Sequence, residues 1–217
     1  MRNPKYYLKE ILKEVLPKYC KGKVVDVGAG HAKYGWLIAP LCDSYTTVDN
    51  MSSDYQFKET EFRPDVVSDV SHMPFKNNEF DTAICTEVLE HVEDPFRLFL
   101  EISRILKPDG YAIISSGWAA AYHKEPKDYW RFSPDAYKVL CKRSNLEFIE
   151  ARRKGGLLIL LLYFVNRNIE LNIKGHTIFK KLWSKISKVL GFFIEKLDQF
   201  IKTEDTLGHL IVARKNN

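Results

Sequence analysis

The sequence predicts an α/β fold, Rossmann-like and doubly wound, with a mostly parallel seven-stranded sheet, an antiparallel last strand and a helical insertion before that strand. Short runs of β-branched residues alternate with segments of helical period, which indicates strand–helix–strand units. The strand runs are continuously apolar, as expected of a parallel sheet covered on both faces. In a chain of 217 residues, 45% apolar and 28% charged residues exclude a disordered or fibrous protein.

The predicted elements follow in order along the chain. Apolar residues at three- and four-residue spacing predict an opening amphipathic helix over 6–16, which Pro17 and Gly22 should end. The strands of the predicted sheet are 23–27, 46–49, 65–68, 80–85, 111–115, 146–153 and 208–214. The helices between them are 34–41, 95–106 and 134–143, and a tight turn at 108–110 should lead into the fifth strand.

The whole chain, 1–217, is predicted to form a single domain, with 1–22 as an N-terminal helix and 156–204 as the insertion. The sequence leaves three roles open for the insertion: a lid, a dimer interface, or an element at a membrane surface. Within 174–202, seven lysines stand against two acidic residues, and this excess equals the +5 of the whole chain.

A basic amphipathic helix with exposed aromatics is typical of peripheral membrane contact. Packing of the apolar stripe of 174–202 on the domain, or on a second copy in a homodimer, is the alternative. Nucleic acid is disfavoured as a partner, because the sequence has neither an aromatic-interleaved RNA module nor an arginine-rich stripe.

Cysteine usage and hydropathy bear on location and on metal binding. The four cysteines are far apart, without a CxxC pair, which predicts free thiols, no disulfide framework and no metal site. The first residues carry charges throughout, and the longest apolar run, 157–165, is shorter than the ~20 residues of a membrane-spanning helix. We therefore expect a cytoplasmic protein, peripheral at the inner face of the membrane if 174–202 contacts lipid.

A hydrophobic strand runs into a glycine-rich turn in the segment KVVDVGAG, 23–30. Gly28 and Gly30 permit positive φ and close approach of a ligand, and the next helix offers free N–H groups. The NAD-type GxGxxG is not met, since Lys33 occupies the third glycine position, and no P-loop sequence occurs. Taken alone, the loop fits either a ligand site or a plain strand–helix turn.

Acidic residues follow four successive predicted strands: Asp26, Asp49, Asp69 and Glu87. Parallel strands end at one edge of the sheet, so these acids should line one crevice. Asp49 is placed to bridge the hydroxyls of a ribose, and Asp69 to accept from an adenine amino group. Such a crevice disfavours phosphate and suits a ribose-bearing cofactor of positive character, a description that S-adenosylmethionine (SAM) meets.

At these motifs the sequence resembles the class I SAM-dependent methyltransferases, in the type 11-like branch that includes small-molecule methylases. The motifs are VVDVGAGHAKYG, TTVDN, SDVSHMPFKNNEFDTAICTEVLEHVEDP and ILKPDGYAIIS, and 208–214 is similar to that fold's terminal strand. The resemblance implies a methyltransferase domain with SAM as cofactor and S-adenosylhomocysteine (SAH) as product. The sequence departs from the family pattern at Ala32, where many members have a third glycine, so the loop should be stiffer here.

The resemblance also implies the cofactor-binding residues, each placed against one part of SAM. They are Asp26, Gly28 and Gly30 at the methionine portion, Asp49 at the ribose, Asp69 and Val70 at the adenine, Thr86 and Glu87 below the sulfonium, and Ala29 and Asn50 beside them.

The segment 116–132 follows the fifth strand and supplies the candidate catalytic residues His123, Arg131 and Tyr129. His123 is either a general base or a loop histidine on a solvated edge. Arg131 either clamps an anionic acceptor or pairs with Asp128 to fix the loop. Tyr129 either contacts the acceptor or anchors the core.

The predicted function is transfer of a methyl group from SAM to a small-molecule, sugar-linked or lipid-linked acceptor. Oxygen is the favoured acceptor atom, because the chain has TEVL where an NPPY-type sequence would indicate amide or base nitrogen. The alternative is a catalytically inactive SAM-binding partner or regulatory subunit. An NAD(P)-dependent oxidoreductase is disfavoured by the missing third glycine and the extra acids.

Overall fold

The computed structural model describes residues 4–50, 63–123, 127–172, 177–201 and 203–217. Its strands, in chain order, are β1 (Lys23–Val27), β2 (Ser44–Asp49), β3 (Val66–Val67), β4 (Phe80–Thr86), β5 (Leu106–Gly117), β6 (Leu146–Arg153) and β7 (Gly208–Lys215). The helices are α1 (Pro4–Tyr19), α2 (Gly35–Ile38), α3 (Pro95–Ile105), α4 (Pro134–Arg143), α5 (Leu157–Asn172) and α6 (Thr177–Asp198). Two 3₁₀ turns, Ala39–Leu41 and Leu89–His91, complete the described elements.

One seven-stranded sheet organises the described residues, in the order β3-β2-β1-β4-β5-β7-β6. The first five of these strands pair in parallel, whereas β7 runs antiparallel to both β5 and β6. This confirms the predicted doubly wound fold with an antiparallel last strand. The strand order reverses between β1 and β4, and the carboxyl ends of β1 to β5 therefore share one edge with a crevice at its centre.

Alternate residues of each central strand bury opposite faces of the sheet. Val24 and Ile84 pack in one core layer with α1 and α2, whereas Val25 and Cys85 pack in a second layer with α3 and α4. The second layer includes the apolar face of α3 with Leu98, Phe99, Ile102 and Ile105. Covering both faces explains why the strands are continuously apolar in sequence.

Three local details differ from the prediction. Helix α1 continues through Pro17 to Tyr19, because a proline in the last turn removes a single intrahelical hydrogen bond while the buried apolar face continues. Helix α2 covers only Gly35–Ile38 before the 3₁₀ turn. The predicted turn at 108–110 lies inside β5, with Asp109 at φ +60°, and the pairing register with β4 shifts there.

The segment between β6 and β7 contains α5 and α6, which contact each other and pack beside Tyr7 of α1 and Ala119 after β5. Both carboxylate oxygens of Asp198, at the end of α6, accept hydrogen bonds from the first turn of α5: Gly156 N at 2.7 Å and Leu158 N at 2.8 Å. Trp183 Nε1 donates to Asn166 Oδ1 at 2.7 Å and joins the two helices. Among the described residues, no helix is at once long and apolar enough to cross a bilayer.

Much of the apolar surface of α6 and its C-terminal extension is exposed. Eight apolar side chains there are between 40% and 82% exposed: Leu182, Ile186, Val189, Leu190, Phe192, Phe193, Leu197 and Phe200. The alternative that this stripe packs on the domain therefore does not hold for these side chains. Residues 174–176 and 202 of the predicted basic segment lie outside the described residues.

Candidate functional site

A cavity of about 510 Å³ opens at the carboxyl edge of the sheet, where the strand order reverses. Seven of the ten predicted cofactor residues line it: Gly28, Gly30, Asp49, Asn50, Asp69, Val70 and Glu87. The remainder of the described wall consists of Ser71, His72, Val88, His91, Val92, Glu93, Asp94, Arg97 and Tyr129. Five carboxylates therefore line the cavity against one arginine, which supports the expectation of a ligand with positive character.

The glycine loop is fixed to β2 by hydrogen bonds at the floor of the cavity. Gly28 N donates to Val48 O at 2.8 Å, and Gly30 N donates to Asp49 Oδ2 at 2.6 Å. Burial raises the pKa of Asp49, although the hydrogen bonds from the backbone of Gly30 and Asn50 oppose that rise. The Asp49 carboxylate thus holds the loop in place and lines the wall where the resemblance places the ribose.

Gly28 has a second role that the sequence did not indicate. It adopts φ +69°, and a Cβ built there would lie 2.4 Å from Cγ2 of Val88. The space that a side chain would need is therefore occupied by Val88, from the segment after β4. A glycine is required here for packing between two walls of the cavity, as well as for the turn itself.

Asp26 lies outside the cavity wall, beneath the glycine loop. It is 5% exposed, and its Oδ2 accepts a hydrogen bond from the hydroxyl of Tyr45 at 2.6 Å. Burial raises the pKa of Asp26 to about 6, against the opposing effect of the Tyr45 hydrogen bond. Ala29 and Thr86, the other two predicted residues outside the wall, flank the lining positions in sequence.

Glu87 is held by a cation that the sequence analysis did not identify. Its two carboxylate oxygens lie 2.6 and 2.7 Å from Nζ of Lys154, and the hydroxyl of Ser115 donates to Oε1 at 2.7 Å. Burial opposes ionisation, but the charge and hydrogen bonds of Lys154 outweigh it, so the pKa of Glu87 is lowered. Its charge is therefore already offset by Lys154, whereas the sequence analysis counted Glu87 among the acids that favour a positively charged ligand and placed it below the sulfonium.

The adenine end of the predicted site is the more open end. Asp69 is exposed, and its Oδ1 accepts a hydrogen bond from Ser71 N at 2.7 Å. Val70 is 7% exposed and packs in the core layer that contains β1 and β4. An apolar floor beside an exposed carboxylate fits a flat heterocycle with an amino group.

Two histidines and a buried acid lie at and behind the part of the cavity wall formed by the segment after β4. His91 lines the cavity, and its ring packs edge-to-face against that of His123 with centroids 5.0 Å apart. Glu90, beside His91, is 2% exposed, and burial together with the charge of Glu87 raises its pKa to about 7. His123 itself is not among the lining residues; it lies behind His91.

The structure favours the loop-fixing alternative for Arg131 and places Tyr129 on the cavity wall. The Arg131 guanidinium is paired with both carboxylate oxygens of Asp128, and this contact lowers the pKa of Asp128 to about 2. The geometry is thus that of the loop-fixing alternative. Tyr129 is 40% exposed and lines the cavity, and its hydroxyl donates to Glu93 Oε1 at 2.8 Å.

Four residues that shape this site were missed by sequence reasoning: Tyr45, Val88, Glu90 and Lys154. Tyr45 belongs to β2 and Lys154 directly follows β6, and nothing in the local sequence distinguishes either residue. Glu90 belongs to the TEVLEH motif, and its position one turn after Glu87 was the available signal.

Comparison with known proteins places this site in a family context. Residues 25–114 match the family model described as a methyltransferase domain. The ubiquinone biosynthesis O-methyltransferase of Rickettsia canadensis is 27% identical over 117 residues, which cover 50% of this chain and 50% of that protein. Sterol methyltransferase-like 1 of Botryococcus braunii is 31% identical over 100 residues, covering 41% of this chain and 25% of that protein.

Solved structures share the fold over nearly the whole chain. Haemonchus contortus phosphoethanolamine N-methyltransferase 2, solved in complex with SAM, aligns with a TM-score of 0.60 at 19% identity. The alignment covers 98% of this chain and 53% of that one. This chain spans half or less of the length of the curated relatives that it matches.

Proposed function

Because residues 25–114 match the model of a methyltransferase domain, we propose that the chain is a class I SAM-dependent methyltransferase that binds SAM in this cavity and transfers its methyl group to an acceptor oxygen. The observation that carries the proposal is the convergence of seven sequence-predicted cofactor residues, from the ends of β1 to β4, on one cavity. Asp49, held by Gly30 N, would receive the ribose, and Asp69 with Val70 the adenine.

Methyl transfer requires little of the protein beyond aligning the acceptor oxygen with the methyl carbon of SAM and excluding water. The acceptor oxygen attacks the methyl carbon, the carbon–sulfur bond breaks, and its electron pair neutralises the sulfonium to give SAH. The hydroxyl proton passes to His123, the candidate general base, by way of His91 or a water molecule, and is then released to solvent. We place the acceptor beside Tyr129 and His91, with His123 behind His91, because Tyr129 and His91 line the cavity and neither is assigned to the cofactor.

The proposal also specifies the chemical class of the acceptor. We propose a small molecule, sugar-linked or lipid-linked, because an open cavity wall of aromatic and titratable side chains suits such a group. The names of two relatives, one in ubiquinone biosynthesis and one sterol methyltransferase-like, favour a lipid-type acceptor, and the first is an O-methyltransferase.

We propose further that the α5–α6 pair contacts the membrane surface. The exposed apolar positions of α6 recur at three- and four-residue spacing, so they share one face of the helix. Lys185 and Lys196 flank that face, which suits an anionic lipid surface. A protein located there would meet lipid-linked acceptors directly.

Two measurements test the proposed activity. Calorimetry should show binding of SAM and SAH but not NAD, and Asp49→Ala should weaken SAM binding at least tenfold, since it removes both the ribose contact and the anchor of Gly30. Tritiated methyl transfer from SAM into the lipid, sugar, protein and RNA fractions of an extract then identifies the acceptor class. Absence of SAM binding overturns the proposal; binding without any transfer supports the alternative of an inactive SAM-binding subunit.

A variant of His123 tests the acceptor end independently. His123→Ala should lower turnover at least tenfold while the affinity for SAM stays within twofold, because His123 lies behind His91 and away from the residues assigned to the cofactor. Equal turnover of variant and parent on the acceptor found above would exclude His123 from the reaction.

A further inference from the structure

Glu90, His91 and His123 form a compact cluster beside the cavity. Each offers one ligand atom, and these atoms all lie within 4.8 Å of one another. Glu90 and His91 belong to the 3₁₀ turn after β4, and His123 lies in the segment after β5. Because β4 and β5 are parallel neighbours, residues distant in sequence meet at the same edge of the sheet.

Both imidazoles are oriented through Nδ1. His91 Nδ1 is hydrogen-bonded to Lys127 O, and His123 Nδ1 lies 3.3 Å from Ala121 O. A carbonyl oxygen only accepts, so Nδ1 carries the hydrogen and Nε2 of each neutral ring presents a lone pair. Metal-ligating histidines are usually oriented in this way by a hydrogen bond from the other ring nitrogen.

The Glu90 carboxylate gives a second, independent indication of a bound cation. It is 2% exposed, and among the described residues its Oε2 has no hydrogen-bond partner. The other oxygen lies at a long 3.4 Å from Gly117 N, and the carboxylate also lies near the N–H of its own residue. The nearby cations are directed elsewhere, since Lys154 bonds to Glu87 and Arg131 to Asp128. A buried carboxylate oxygen without a partner is costly, and a bound cation would compensate it.

We propose that Glu90, His91 and His123 bind one divalent cation of the Zn²⁺ type. Two imidazoles and a carboxylate suit Zn²⁺, Fe²⁺ or Co²⁺, whereas Mg²⁺ and Ca²⁺ take oxygen ligands. Ligand bonds of about 2.0–2.2 Å place tetrahedral ligands about 3.4 Å apart, so modest side-chain rotations close the cluster around an ion. The sequence prediction of no metal site rested on the separated cysteines and on the lack of a histidine cluster near them, and it did not bring Glu90, His91 and His123 together.

The position of the cluster indicates a use for the ion. His91 lines the cavity, so an ion bound there borders the space assigned to the acceptor. With three protein ligands, a fourth position stays open to an acceptor oxygen, and coordination lowers the pKa of a bound hydroxyl. This last step rests on the proposed methyl transfer, whereas binding of the ion does not.

The test is metal binding by tag-free, metal-stripped protein. Titration calorimetry with Zn²⁺ alone should give one site per chain, and Co²⁺ should give a tetrahedral absorption spectrum without a thiolate charge-transfer band. Glu90→Gln, His91→Gln and His123→Gln should each weaken Zn²⁺ binding at least tenfold. His72→Ala, which removes an exposed histidine at the cavity rim, should leave it within twofold, and millimolar Mg²⁺ should not displace Zn²⁺.

The proposal is overturned if the parent protein binds neither ion, if the Glu90 and His123 variants bind Zn²⁺ like the parent, or if Co²⁺ shows a thiolate band. Circular dichroism of each metal-free variant establishes that it is folded. SAM binding, measured separately, distinguishes the two proposals: its absence with retained Zn²⁺ binding overturns the proposed function and leaves the cation site standing. Zn²⁺ binding that fails while SAM binding persists overturns only the cation site.

Discussion

Lys154 Nζ lies 2.6 and 2.7 Å from the two carboxylate oxygens of Glu87, with the lysine side chain 3% exposed and that of Glu87 36% exposed. The lysine comes from the end of β6 and the acid from the end of β4, so the pair connects two distant parts of the sheet. Glu87 also adopts φ +57°, a conformation that costs a non-glycine residue about 1–2 kcal/mol. The pair therefore helps to hold a strained residue at the cavity wall.

Removal of Lys154 should destabilise the protein. In Lys154→Met the Glu87 carboxylate loses its cation, and we expect the free energy of unfolding in urea to fall by roughly 3 kcal/mol, the lower end of the range for broken buried pairs, since Glu87 is partly exposed. The double variant Lys154→Met/Glu87→Gln should recover more than half of that loss. Lys107→Met, which breaks a more exposed pair with Asp81, is the control and should cost less than ~1 kcal/mol. Equal losses for both lysines would contradict this interpretation.

Gly28→Ala should damage the loop through two separate effects. The new Cβ would meet Val88 at 2.4 Å, and alanine is strained at φ +69°. We expect a loss of about 2–4 kcal/mol in unfolding free energy together with weaker SAM binding. Gly35→Ala is the matched control, because its Cβ would meet Tyr45 only at 3.4 Å. Gly28→Ala/Val88→Ala should recover the steric part of the loss; no recovery would mean that strain alone is responsible.

Ala32→Gly should stabilise the protein. Ala32 has φ +45°, a left-handed conformation that glycine adopts without steric cost. The relief of about 1–2 kcal/mol is partly offset by the greater freedom of glycine in the unfolded chain, so a net gain of about 0.5–1 kcal/mol is expected by chemical denaturation. A loss of stability on substitution would show that the Cβ of Ala32 makes contacts that outweigh the strain.

Asp26 should make the ligand-free protein less stable as the pH rises from about 4 to 6. Its pKa is about 6 in the folded state and near 3.9 in the unfolded state, so between these values the folded state binds more protons. Unfolding free energy then falls with rising pH, by up to roughly 3 kcal/mol in total, and this contribution levels off above about pH 7. Asp26→Asn removes the titration, so the difference in stability between parent and variant should change across this window. A pH-independent difference would place the Asp26 pKa near its ordinary value.

Phe192→Ser/Phe193→Ser should abolish membrane contact without unfolding the domain, because both side chains are at least half exposed. Parent protein should co-sediment with anionic vesicles at low salt and dissociate at high salt, as screening weakens the lysine contribution. Val139→Ser on α4, an apolar residue of similar exposure, is the control. If the parent never sediments and ultracentrifugation shows a dimer that the double variant dissociates, the α6 face is an interface between copies instead.

The fold was predictable from sequence because its signals are local. Each predicted strand is present, and α3 and α4 begin at the prolines that follow their capping residues Asp94 and Ser133. The glycine loop and the acids at strand ends were likewise identified from position. Pairings between side chains near the ends of distant strands, such as Lys154 with Glu87, depend on the order and register of the strands in the sheet. They cannot be detected in the local sequence.

The placement of β7 bears on when the protein can fold. β7 is the strand that joins β6 to the parallel part of the sheet, and within the described residues β6 pairs with no other strand. Residues 154–207 separate these two strands in the chain, so during synthesis β6 leaves the ribosome well before its partner exists. Until 208–215 is inserted, the edges of β5 and β6 remain open, and chaperone binding or mispairing in a nascent chain should concentrate there.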